Sequence, residues 1–308
     1  MHVFLTGATG YIGSVVAEKL QRAGHRVTGL ARSDASADAL RARGIDAVRG
    51  DLHDVAVLTT AARAADAAIH TAFDLGRGGF DAAVAAEARA VGALLDALRG
   101  TDRPLVVTSG TATLGDTGDR VFDEDTPLPT PPDTPDGGLR ALRARLAVEQ
   151  AVLTAAGVRG IVIRAPNVYG RSDGKAVLAI LRMAAPALGA VPYAAGTADH
   201  RWSFVHVDDL ADLYVLALER AGAGEVFHAG AESGLRTGAI AEALSRGIGL
   251  DGRTVELSIP DLGRALGVPP LAVYWPGNSQ SSSGKARRVL GWTPAHTDVL
   301  ATLAGRGA

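Results

Sequence analysis

Short apolar runs alternate with longer amphipathic stretches through the first half of the chain. Val3–Leu5 has the pattern of a buried strand. So do His25–Ala31, Ala47–Leu52, Ala67–Ala72, Pro104–Thr111 and Gly160–Arg164. Between them apolar positions recur at helical spacing. Ser14–Gly24 carries Val15, Val16 and Leu20 on one face. Ala35–Arg43, Val55–Ala65, the alanine-rich Phe80–Arg99 and Leu139–Ala156, closed by Gly157, follow. Parallel neighbours need a crossover, usually a helix, so this alternation predicts an α/β fold with a Rossmann-type, doubly wound parallel sheet. Asp116–Gly138, rich in Pro, Asp, Thr and Gly, reads as an irregular surface loop.

The second half is less regular. Lys175–Leu188 reads as a helix, and Trp202–Leu210 as a strand entering the helix Leu210–Arg220. Glu225–Ala229 is a strand, Thr237–Gly249 a helix and Leu257–Pro260 a short strand. Asn278–Gly284 reads as a mobile Ser/Gly-rich loop, and Ala286–Leu290 and Gly291–Pro294 close the chain. Asp208 or Asp209 is expected to cap the helix that starts near Leu210.

The turn after the first strand carries the strongest signal. Thr6-Gly7-Ala8-Thr9-Gly10-Tyr11-Ile12-Gly13 has the form T-G-x-x-G-x-x-G, between a strand and a helix. Gly7 permits the sharp turn, Gly10 lets a pyrophosphate approach the backbone, and Gly13 allows close packing. The helix N-terminus then offers free N–H groups and a positive dipole end. A dinucleotide site is expected here, with residues 1–165 as a dinucleotide-binding Rossmann domain to which 202–230 returns. Residues 166–201 and 231–308 form a smaller substrate-binding part.

The second strand ends in Ala31-Arg32-Ser33-Asp34. An acidic residue at its tip would accept from a ribose 2′-OH, but that slot is Ala31. Arg32 and Ser33 suit a 2′-phosphate, so NADP is the expected cofactor and NAD the lesser alternative. The competing reading makes Asp34 a helix N-cap and Arg32 a surface residue. Asp51, followed by Leu52, could accept from an adenine amino group. In a doubly wound sheet the ligand lies beyond the strand carboxyl ends, which gathers the glycine turn, Arg32, Asp51, Thr71-Ala72-Phe73, Ser109–Thr111 and Ala165–Tyr169 around one crevice.

Composition narrows the function. Net charge is −2, so no footprint for nucleic acid or anionic membrane is expected. There is no cysteine, which excludes thiolate chemistry and disulfides. No His/Asp/Glu cluster has metal-ligand spacing. No apolar run approaches the ~18 residues of a membrane span, and with the first strand at the start of the sequence a cleaved leader is not expected. A cytoplasmic location is the expectation.

The motifs together resemble the extended short-chain dehydrogenases/reductases, in the epimerase/dehydratase-like branch. The matching residues are Thr6–Gly13, Gly50-Asp51-Leu52, Ile69–Ala72, Thr108-Ser109, Arg164–Gly170, Val205–Ala211 and Leu290–Pro294, in family order over nearly the whole chain. The resemblance implies the fold and the cofactor site. It places Pro166 and Asn167 beside the nicotinamide and substrate, and Arg201 near a substrate anion. It suggests a homodimer through the helices around Phe80–Arg99 and Leu139–Ala156.

The family's catalytic pattern is Y-x-x-x-K with a Ser or Thr after the fifth strand. Anchored on Glu149, the Tyr slot is Ala141, the Lys slot is Arg145 and the Ser slot is Gly110. Tyrosines stand only at 11, 169, 193, 214 and 274, and none has Lys four residues later. The chain thus resembles atypical members without the usual active site. Arg145 could replace Lys on the nicotinamide ribose, or be an exposed helix arginine. Thr111, Ser109 or Tyr169 could donate a proton, although Tyr169 suits packing better. Phe73, Asn167 and Arg201 are the substrate candidates, and His70 reads as a satisfied core histidine. An NADP-dependent oxidoreductase acting on a small carbonyl, imine or conjugated acceptor is the leading expectation. A non-catalytic NADP(H)-binding sensor, or a non-redox lyase or isomerase, is the alternative.

Overall fold

In a computed structural model, the structure describes residues 1–74, 78–128, 137–171, 177–267 and 276–306, with 137–143 as backbone only. Ala141, the expected Tyr slot, therefore lies outside the described side chains, and Tyr274 outside the described residues.

The central strands are apolar on both faces because helices cover both. Strand β1 (His2–Thr6) pairs in parallel with β2 (Arg26–Ala31), which pairs with β3 (Asp46–Arg49). On its other side β1 pairs with β4 (Ala67–His70), followed by β5 (Pro104–Gly110), β6 (Arg159–Ala165) and β10 (Glu225–His228). The seven-stranded order is β3-β2-β1-β4-β5-β6-β10. The chain winds outward from β1 to β3, then restarts at β4 on the opposite side. That reversal opens a crevice at the carboxyl ends of β1 and β4.

Alternation along each strand divides the core. Val3, Leu5, Ile69, Val106 and Ile163 pack with α1 (Tyr11–Arg22), α2 (Asp34–Arg41) and α7 (Val207–Arg220). Phe4, Ala68, Leu105, Val107 and Val162 pack with α3 (Val55–Arg63), α4 (Gly79–Leu98) and α5 (Gly137–Leu153). This is the doubly wound α/β sheet that the hydrophobic pattern predicts.

The smaller part has its own core. Strands β7 (Asn167–Tyr169), β9 (Arg201–His206) and β11 (Glu232–Arg236) form one sheet, and β8 (Val191–Ala194) with β12 (Thr254–Leu257) another. Helices α6 (Val177–Leu188), α8 (Thr237–Gly247), α9 (Ile259–Leu266) and α10 (Val299–Leu303) pack around Trp202, Phe204 and Tyr169. Strand β9 thus belongs to the second sheet, while β10 joins the large one. The strand expected through Pro260 stops at Leu257. Ser258 Oγ accepts from Asp261 N–H at 3.2 Å and Pro260 fits the first turn, so α9 starts there.

Two expectations need correction. Asn278–Gly284 is not a free loop, since Ser279, Gln280 and Ser281 are buried. Ser203 N–H donates to Ser279 O at 2.9 Å, and Ser282 N–H to Phe122 O at 2.8 Å. Serine reads as loop-forming, but its small side chain also lets a strand-like segment thread between β9 and the loop near Phe122. The cap of α7 also differs. His206 Nδ1 accepts from Asp208 N–H at 3.2 Å, while Asp208 binds Arg171 at 2.6 and 2.9 Å.

Asp209 is buried and accepts from Ala295 N–H at 3.0 Å and His296 N–H at 2.9 Å. Its own carbonyl accepts from Trp292 Nε1 at 2.8 Å. One carboxylate therefore fastens the C-terminal segment to α7. Asp209→Ala should lower unfolding free energy by about 1–3 kcal/mol, because it removes the buried carboxylate on which two backbone N–H donors of the C-terminal segment converge. Urea denaturation of the variant beside wild type measures this.

Candidate active site

The glycine turn is shaped by what lies behind it. Gly7 has φ +77°, a conformation side chains resist, and a β-carbon on it would lie 2.6 Å from Thr71 Oγ1. Thr71 Oγ1 donates to Thr6 O at 2.9 Å, which ties the end of β4 to the end of β1. A β-carbon on Gly13 would lie 2.5 Å from the same Oγ1 and closer still to Gly7 O. Gly10 is different: it is exposed, and its notional β-carbon meets only Gly7 O, at 3.1 Å. As N-cap of α1 it provides no side-chain hydrogen bond, so nothing in its own side chain competes for the N–H groups of the first turn. Thr9 is exposed beside it, Tyr11 and Ile12 are half-buried, and Tyr11 Oη donates to Gly170 O at 2.8 Å.

On the β2–β3 side lies an open depression of about 360 Å³, lined by Arg32, Arg49, Gly50, Asp51, His53 and Asp54. Arg32 is exposed and pairs with Asp74 at 2.6 Å. Ser33, not Asp34, is the N-cap of α2, with Oγ accepting from Ser36 N–H at 3.1 Å. Asp34 instead meets Arg49 Nε at 3.1 Å. Asp51 accepts from His53 N–H at 2.8 Å, and Leu52 is buried beneath. Sequence reasoning missed Arg49; its position opposite Ala31 in the β2–β3 register was the available clue.

On the β4–β5 side the prominent group is Arg145, on α5. It is not a free surface arginine. Its Nε and Nη2 donate to Glu87 Oε2 and Oε1, both at 3.0 Å, and Nη2 also reaches Thr108 O at 3.3 Å. Its guanidinium lies 4.8 Å from the Phe73 ring centroid, and Phe73 leans on Phe80 at 5.6 Å. Nη1 lies 3.7 Å from where a β-carbon on Gly110 would stand. Glu87 is buried on α4; burial pushes its carboxyl up and Arg145 pulls it back. Glu87 escaped sequence reasoning, yet its helical spacing with Val84, Ala90 and Val91 puts a lone acid on an apolar face.

The other candidate donors are engaged elsewhere. Ser109 donates to buried Glu149, which is held by Arg164 at 2.6 and 3.0 Å. Ser109, Arg164 and His228 face one another in register on β5, β6 and β10. Arg164 Nη1 is a donor, so His228 Nε2 accepts from it at 3.2 Å, and Nδ1–H donates to Phe122 O at 3.3 Å. Burial and Arg164 lower the His228 pKa to about 4, which fits that neutral tautomer. Tyr169 is core: its ring packs edge-on against His206 at 5.1 Å, and Oη donates to His296 O at 3.4 Å. Burial holds its phenol well above the ordinary value, against a role as proton donor. Tyr214 is buried against Thr108 Oγ1 at 2.6 Å, and Tyr193 reaches Glu256 at 3.2 Å.

Thr111 is buried with Oγ1 3.2 Å from Ser279 Oγ. Pro166 leads into β7, where Asn167 Nδ2 donates to Ser203 O at 3.3 Å. Arg201 is exposed at the start of β9, its backbone N–H bound to Asn278 Oδ1 at 2.9 Å. His70 is only half satisfied. Nδ1 meets Thr6 Oγ1 at 2.8 Å, while Nε2 has no partner among the described residues. Burial and the charge of Arg145 lower its pKa to about 4. Among the described residues no three His, Asp or Glu side chains could hold a metal, and no helix is long and apolar enough to cross a membrane.

A parallel sheet reversing at β1/β4, with a glycine turn and an uncapped helix start at the reversal, defines a Rossmann-type nucleotide-binding protein. The chain belongs to the NAD-dependent epimerase/dehydratase family, whose profile matches residues 3–230, and is an extended short-chain dehydrogenase/reductase. It is 34% identical over 305 residues to an uncharacterised protein of Schizosaccharomyces pombe, covering 99% of this chain and 98% of that one. It is 32% identical over 239 residues to a 3-diazoavenalumate denitrifying reductase of Streptomyces, covering 73% and 74%. The fold superimposes on a dTDP-glucose 4,6-dehydratase of Bacillus anthracis solved with NAD, with TM-score 0.76 and 16% identity over 99% and 95% of the two chains.

The glycines separate folding from binding. Gly13→Ala should lower the melting temperature by several degrees, because backbone and Thr71 must move. Gly10→Ala should cost much less in melting temperature yet lose dinucleotide binding, since its methyl would stand where a pyrophosphate is expected to approach. Thermal melting of both variants, with dinucleotide titration of Gly10→Ala, tests this.

Proposed function

We propose that the protein is an NADP-dependent reductase of small molecules whose hydride acceptor does not depend on a tyrosine acid. The observation that carries this reading is the site beside β5. Arg145 stands in the Lys slot, locked by Glu87, and none of the described tyrosine hydroxyls hydrogen-bonds to it. The glycine turn would take the pyrophosphate. Arg32 and Arg49 flank the depression where a 2′-phosphate would lie, and no acid at Ala31 repels it. The surface pair Arg32–Asp74 is worth little and can yield to a phosphate.

Chemistry without the tyrosine favours acceptors that do not leave a simple alkoxide: an iminium, a conjugated acceptor, or a carbonyl protonated by another group. When bound, the cofactor supplies hydride. The chain holds its two halves and excludes water. Of the three candidate donors, Thr111, next to Gly110, is the one bound only to another hydroxyl and is assigned proton delivery, and Asn167, Phe73 and Arg201 would meet the substrate. A Streptomyces relative named a denitrifying reductase supports a reductase with an unusual acceptor.

Purified protein should oxidise NADPH with at least one imine, enone, diazo compound or ketone from a panel, followed by nicotinamide absorbance. Tight NADPH binding without turnover on any of them would favour a cofactor sensor. Arg32→Asp should weaken NADPH roughly 10- to 100-fold, the worth of a charge-assisted hydrogen bond, and leave NADH unchanged. Equal loss for both cofactors would remove the 2′-phosphate assignment.

A further inference from the structure

The two sides of the crevice dictate how a dinucleotide would lie. Its pyrophosphate belongs at the start of α1, between β1 and β4. The arginine-lined depression over β2 and β3 takes the adenosine half, so the nicotinamide half must extend over β4 and β5. Arg145 waits there held by three groups. Glu87 binds Nε and Nη2, Thr108 O accepts from Nη2, and the Phe73 ring covers one face. Only the Nη1 side points toward Gly110.

Glu87 does two things at once. The two-point contact fixes the guanidinium plane, and the carboxylate cancels its charge. The side chains of both partners are largely buried, at 13% and 3% exposed, so water screens the pair poorly. Charge matters here because the two forms of the cofactor differ: the oxidised nicotinamide ring is cationic and the reduced ring neutral. An uncompensated arginine beside it would repel the oxidised form selectively.

Resting on the nicotinamide-dinucleotide reading above, we propose that Glu87 is a positioning and charge-compensating residue. It presents Arg145 to the nicotinamide half as a fixed hydrogen-bond donor without net charge, so the site accepts the oxidised and reduced cofactor with similar affinity.

The test uses equilibrium binding alone. NADP⁺, NADPH and adenosine 2′,5′-bisphosphate, which lacks the nicotinamide half, are titrated into wild type, Glu87→Gln and the double variant Glu87→Met/Arg145→Met. In Glu87→Gln the ratio of Kd for NADP⁺ to Kd for NADPH should rise about tenfold, with bisphosphate affinity unchanged. The double variant replaces a buried ion pair by apolar groups of similar volume, a change proteins tolerate well. Its ratio should return to the wild-type value. A ratio unmoved in Glu87→Gln, or shifted in the double variant as well, would overturn the proposal and leave Glu87 a purely structural partner. Wild-type protein that binds the bisphosphate but neither dinucleotide would refute the cofactor reading itself.

Discussion

The close approach of α1 to the ends of β1 and β4 is the constraint on which the rest depends. Three backbone segments meet around Gly7, Gly13 and Thr71, with no room for a β-carbon at either glycine. That contact aims the first turn of α1 into the crevice, and it sits where the winding of the sheet reverses. The long-range order of the strands then brings Arg32, Arg49, Phe73, Gly110 and Arg145 to one rim, although they are far apart in sequence. The candidate dinucleotide site is thus a consequence of packing that would be needed for the helix to lie on the sheet at all.

The second half of the candidate site is built around Arg145. On the proposed function no tyrosine acid serves, so there is no phenol whose acidity a lysine must tune. Arginine, planar and always charged, can instead be fixed from several sides. Glu87, Phe73 and the Thr108 carbonyl do this, and Gly110 leaves the space Nη1 faces. Below them Glu149, Arg164 and His228 form a separate buried network that absorbs Ser109. A hydroxyl beside the crevice is thereby turned to structural use.

Much of this was legible in the sequence, and the reasons differ by element. Strand–helix alternation set the large sheet because burial on both faces leaves continuous apolar runs. The glycine spacing marked the turn because few other sequences tolerate that geometry. Ser279–Ser281 misled because serine is common in loops yet small enough for a buried strand-like segment. Asp209 was read as a cap because local spacing cannot reveal that Ala295 and His296 come to meet it. Glu87 was hidden by its distance from Arg145 in sequence, although an acid on the apolar face of an alanine-rich helix signals a buried partner. Tyr169 went to the core because β7 turns its ring toward His206 rather than the crevice.

A crystal structure with NADP⁺ is the most direct test. The expected result has the pyrophosphate against the N–H groups that open α1, the 2′-phosphate between Arg32 and Arg49, and the nicotinamide ribose within hydrogen-bond reach of Arg145. A dinucleotide bound elsewhere, or a nicotinamide half turned away from Arg145, would contradict it.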